Sequence, residues 1–138
     1  MASKSAGANG MVIYPDKFFS FRLHLAGQRQ FLHDHPAAMQ KLLRALLRAE
    51  HLVEEEPQAT RSIIAKYAKY DPASFDRLWP NYDLHLNLSQ ALLNTLEDQA
   101  RWAIANDLAD TKDMPNFLDV INPDAMLAVK PAAVSIVR

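Results

Sequence analysis

The stretch from Phe31 to Glu56, FLHDHPAAMQKLLRALLRAEHLVEEE, constrains this chain more than any other. Pro36 suits the first turn of a helix, where an N–H would have no intrahelical partner, and Asp34 or His35 can cap it. From there Met39, Leu42, Leu46, Ala49 and Val53 recur at spacings of three and four. Leu43 and Leu47 lie on one flank of that line, and Ala38, Ala45 and Leu52 on the other. More than half the circumference is therefore apolar, and Gln40, Lys41, Arg44, Arg48, His51 and Glu55 collect in the remaining arc. A helix roughly 30 Å long with so narrow a polar strip has to be covered by other elements. Glu50 interrupts the pattern, because it falls near the middle of the apolar arc. A carboxylate there needs a hydrogen-bond donor or a cation, or it takes up a proton. Arg61 or Lys66 on the next helix, or the indole N–H of Trp102, are the partners the sequence offers. The functional reading of Glu50 is a ligand or partner contact, and the structural one is a polar tie between helices.

A chain of 138 residues is enough for one domain and buries roughly two thirds of its unfolded surface. The formal net charge of -1, without a run of Lys and Arg, argues against a nucleic-acid surface or a polybasic membrane anchor. There is no Cys, so disulfides, thiolate metal sites and cysteine nucleophiles are excluded. Residues 1–10, MASKSAGANG, are small and polar, without an apolar signal core, and read as a disordered leader. No apolar run approaches the ~20 residues of a membrane span. As written, the chain is expected to be soluble and not exported.

After the leader, Met11 to Tyr14 form a short β-prone run stopped by Pro15. Phe19, Phe21, Leu23 and Leu25 then alternate against Ser20, Arg22 and His24. Two strands with a turn between them are expected over Met11–Leu25, and such a pair needs a larger sheet or a helical layer to lie on. Beyond the long helix, Pro57 opens a second helix expected to fold back on the first, and Asp71-Pro72 starts a short one ended by Pro80. Residues 81–88, NYDLHLNL, alternate in the manner of an extended connector packed on one face. Ser89 signals a helix over Gln90–Asn106, and Asn122-Pro123 a last short helix through Val129. The tail Val134–Val137 is β-prone.

Little in the chain carries chemistry. His33 and His35 flank Asp34, but residues two apart ahead of a helix are poor co-ligands and no metal site is assigned. With three glycines and no HExxH, GxSxG, Walker or GxGxxG pattern, phosphate-cradling loops and nucleophile elbows are lacking. Asp83 with His85, and Glu97 with Asp98, read as surface charge rather than acid/base pairs. Trp79, Tyr82 and Trp102 read as core aromatics. Tyr14, Phe18 and Phe19, at a strand-turn-strand junction, are the candidate ligand-binding residues. No catalytic residue and no cofactor is expected, and the chain does not read as an enzyme.

FLHDHPAAMQKLLRALLRAEHLVEEEP followed by QATRSIIAKY, then DPASFDRLWPNYDLHLNLS and NPDAMLAVKP, resembles the C-terminal part of a family of solute-binding proteins. These serve ABC importers of the nitrate, sulfonate, taurine and thiamine-precursor type. The resemblance runs from about residue 11 to the end, and it rests on the order and spacing of several motifs rather than on one. It implies a mainly α chain with a short β element, residues 11–138 forming one partial, mostly helical lobe of a two-lobe α/β periplasmic-binding-protein (type II) fold. It further implies non-catalytic binding of a small anionic or organic solute in a completed cleft, an ABC permease as partner, and a periplasmic location. A cut lobe exposes apolar surface and strand edges, so a homo-oligomer formed through residues 11–25 is expected. The alternative is a free-standing helical protein-protein interaction module.

Overall fold

The computed structural model describes residues 22–137. Six α-helices follow in order: α1 (Arg29–Asp34), α2 (Pro36–Glu55), α3 (Pro57–Tyr67), α4 (Pro72–Leu78), α5 (Gln90–Ala105) and α6 (Asp124–Val129). Short 3-10 turns occupy Trp79–Asn81, Phe117–Asp119 and Pro131–Ala133.

Local chemistry explains these boundaries. Proline stands at the first position of α2, α3 and α4, where a missing N–H costs nothing. Asp71 caps α4 by accepting from the Ser74 N–H at 3.0 Å. The corner between α2 and α3 is fixed at one carbonyl: Leu52 O accepts from the Glu56 N–H at 2.9 Å and from the hydroxyl of buried Thr60 at 3.0 Å. Both α3 and α5 end with a left-handed residue, Lys69 at φ 54° and Asp107 at φ 55°. Tyr70 N–H then reaches Ala65 O, and Leu108 N–H reaches Ala103 O, each at 2.9 Å, which satisfies carbonyls that the helix ends would otherwise strand.

The core has two centres. Leu43 of α2 and Met126 of α6 are buried where those two helices pack, the most extensive helix pairing among the described residues. Ala65 of α3 and Phe75 of α4 are buried in the second centre, and Leu93 of α5 is buried as well. Residues 82–89 run as an extended connector whose Leu84, Leu86 and Leu88 are half-buried while Asp83, His85 and Asn87 are exposed. Leu88 makes one isolated parallel bridge with Val134, through Leu88 N–H to Ala133 O at 2.8 Å and Ser135 N–H to Leu88 O at 3.0 Å.

The expected fold class is corrected here. The described residues are mostly helical, 65%, with no strand or sheet among them, so this is not an α/β two-lobe fold. Extended segments exist, but an alternating stretch becomes a strand only when a neighbour offers a row of hydrogen bonds. The connector and the tail offer each other a single rung. The expected β element at Met11–Leu25 meets the same requirement: Arg22–Leu25 are described and belong to no strand, with Leu23 89% and Leu25 62% exposed. The rest of that element, and the leader 1–10, lie outside the described residues.

The coverage of α2 is also narrower than its pattern implied. Leu43, Leu46, Leu47, Glu50, Val53 and Met39 form the buried or half-buried side. Ala38, Leu42, Ala45, Ala49 and Leu52, on the other side of the apolar arc, are exposed.

Candidate functional site

Glu50 is the most organised polar position among the described residues. Its side chain is buried, at 6% exposure, in the face of α2 that meets both the connector and α6. The ammonium of Lys130 hydrogen-bonds to Glu50 Oε1, while the Leu86 N–H donates to Glu50 Oε2 at 2.9 Å. Lys130 Nζ also donates to Leu86 O at 3.2 Å. Three groups from three segments thus close a ring of charge-assisted hydrogen bonds. Lys130 is placed there by its own helix, since its N–H closes the end of α6 on Met126 O at 2.7 Å.

The electrostatics at Glu50 are a contest. Burial is the largest single influence and disfavours the charged form, but the Lys130 hydrogen bond, the Leu86 N–H and the positive charge of Lys130 and His85 outweigh it together. The carboxyl is held below its ordinary value, so it is ionised at neutral pH. Around it stand Glu54 and His85, whose ring Nε2 lies 3.4 Å from Glu54 Oε1 and whose Nδ1 bonds to the Asp83 carboxylate. The Asp83 hydrogen bond is the main reason that His85 is pushed above its ordinary value; partial burial opposes it, and the charges of Asp83 and Glu50 add to it.

Glu50, Glu54 and His85 present ligand atoms within 4.8 Å of one another, the spacing a metal ion would need. The donor set argues for an ion-pair network instead. Both oxygens of Glu50 are engaged, one by a resident cation, and a metal ion would have to displace the Lys130 ammonium or be repelled by it.

The remaining candidates separate. Tyr14, Phe18 and Phe19 lie outside the described residues. His33 bonds to Asp34 at 3.0 Å, and His35 packs its ring on Phe31 at 4.6 Å between centroids, so the two imidazoles take different partners. Glu97 and Asp98 both face Arg101, at 3.7 and 2.9 Å. Trp79 and Tyr82 join Tyr70 around buried Phe75, with ring centroids 5.2–5.7 Å from the Phe75 ring. The Arg61 guanidinium lies 5.6 Å over Trp79 and pairs with Asp76 at 3.0 Å. Arg61 is therefore engaged away from Glu50, and Trp102 stands 62% exposed. The partner that the sequence reading missed is Lys130. Its signal is faint: a lone lysine that ends an apolar turn, immediately before Pro131.

No described helix is long and apolar enough to cross a membrane. Two open depressions lie on the surface, one lined by Lys41, Arg44, Leu47, Arg48, Ala128 and Val129, the other by residues of α3 and α4. Comparison with known proteins found no matching family model, no matching curated protein and no matching solved structure.

Proposed function

We propose that this chain is a non-catalytic part of the solute-binding component of an ABC-type importer of the nitrate, sulfonate or taurine kind, acting as a helical support rather than as a ligand pocket. One observation carries the reading. Three of the stretches on which the resemblance rests, FLHDHPAAMQKLLRALLRAEHLVEEEP, DPASFDRLWPNYDLHLNLS and NPDAMLAVKP, are distant in sequence but meet at Glu50, Leu86 and Lys130. Each stretch supplies one member of the same hydrogen-bonded ring, which gives their order and spacing a structural basis. The solute would be a small anion or organic molecule, the permease the docking partner, and the periplasm the place of work.

Deletion of the gene tests this. Loss of growth when taurine, an alkanesulfonate or nitrate is the only sulfur or nitrogen source is expected, with restoration by the cloned gene. Normal growth on all of them, from a gene flanked by no permease or ATPase of the ABC type, would sink the transport reading. The second reading, a free-standing helical interaction module, is favoured by the exposed apolar side of α2.

A further inference from the structure

The exposed apolar side of α2 has a regular spacing. Ala38, Leu42, Ala45, Ala49 and Leu52 follow one another at four, three, four and three residues, the alternation of a two-helix seam. Leu42 is 43% and Leu52 37% exposed, and the three alanines are exposed too. No charge interrupts the seam. Along one border lie Lys41, Arg48 and Glu55, seven residues apart, all exposed. The opposite border, Met39, Leu46 and Val53, is already partly covered.

We infer that the occupant of this seam is α2 of a second copy of the same chain, packed antiparallel about a twofold axis. The charge order selects this partner. In antiparallel pairing, each border faces the same border of the other helix, read backwards. Lys41 then comes within a turn of Glu55 of the second copy, twice by symmetry, while Arg48 faces its own equivalent near the axis. Parallel pairing would instead set the charged border against the apolar, covered border. The core layers also match. With Lys41 near Glu55, Leu42 stands opposite Leu52 and Ala45 opposite Ala49, so bulky layers flank a small centre that lets the helices approach closely. This dimer uses α2, not residues 11–25, and it does not depend on the transport reading.

Sedimentation equilibrium of the full chain between about 1 and 100 μM tests the inference, a range chosen for micromolar self-association. A monomer–dimer equilibrium is expected. Ala45→Arg, at an exposed position, is expected to leave the far-UV circular dichroism unchanged and to abolish the dimer. Lys41→Glu and Glu55→Lys are each expected to weaken it about tenfold, equivalent to about 1.4 kcal/mol. The double reversal is expected to restore it, because the swapped charges again face each other. A monomer throughout the range overturns the inference, and so does a dimer indifferent to Ala45→Arg. A double reversal no tighter than either single variant overturns the antiparallel register. The growth test is unaffected by any of these results, so the two readings fail separately.

Discussion

Two regions of this protein, the aromatic cluster around Phe75 and the ionic ring at Glu50, are held by different physics. Around Phe75, 1% exposed, stand the rings of Tyr70, Trp79 and Tyr82, with Arg61 over Trp79, and the glue is apolar contact between neighbours in sequence. Around the Glu50 carboxylate, a peptide group and an ammonium come from positions 36 and 80 residues away, and the glue is charge and hydrogen bonding. The aromatic centre owes its stability to area removed from water, which neither protons nor moderate salt change. The ionic centre depends on a protonation state. It holds three segments in one geometry.

Removing the aromatic anchor separates them most sharply. Phe75→Ala is expected to cost about 3–5 kcal/mol, and by the same amount at pH 4 as at pH 7. Urea unfolding at both pH values checks it; a strong pH dependence of the loss would tie the aromatic cluster to the ionic centre. Glu50→Ala comes next, at about 1–3 kcal/mol near neutral pH, because it strands the Leu86 N–H and the Lys130 ammonium. Since the folded-state value of Glu50 lies below its ordinary 4.5, this stabilisation is fully present above pH 4.5 and fades as pH falls through the folded value. In strong acid the variant and the native chain should therefore converge. The double variant Glu50→Leu/Lys130→Met is expected to recover most of the loss, as apolar replacements of buried pairs do.

The smallest effect has the opposite sign in pH. His85 is raised above 6.5, so its contribution is complete below that value and is lost as pH rises through the raised one. The group is more than half exposed, and after solvent screening His85→Asn should cost only a few tenths of a kcal/mol at pH 5.5, and less as pH rises. Equal stability of the two chains at pH 5.5 would remove His85 from the ionic centre.

What was legible in the sequence follows the same division. Pro36, Pro57 and Pro72 announce their helices, because proline's effect is local and the helix start obeys it wherever the chain goes. The alternation of residues 82–88 was equally readable, since burial of one face needs only a surface beneath it. Position 50 stood out against its own helix wheel, but its partner did not. Arg61 and Lys66 were nearer in sequence, and only the fold brings α6 across α2 to deliver Lys130. Over Arg22–Leu25, the described part of the alternating run, the pattern misled for a related reason: it measures a preference for extended backbone, and says nothing about whether a second strand is there to receive it. Likewise, the width of the apolar arc on α2 was plain, yet which half α6 would cover was a tertiary fact.

The distance between Glu50 and Lys130 also sets a temporal order. Bringing ends 80 residues apart together costs about 4 kcal/mol in chain entropy, whereas the aromatic cluster closes short loops cheaply. The helices up to Tyr82 can therefore assemble while the last 50 or so residues still search, and the arrival of α6 at α2 becomes the late event. A bond absent from the transition state acts on the way out rather than on the way in. The Glu50–Lys130 pair is thus expected to act as a latch on the folded protein, so that Glu50→Ala speeds unfolding more than it slows folding in stopped-flow kinetics.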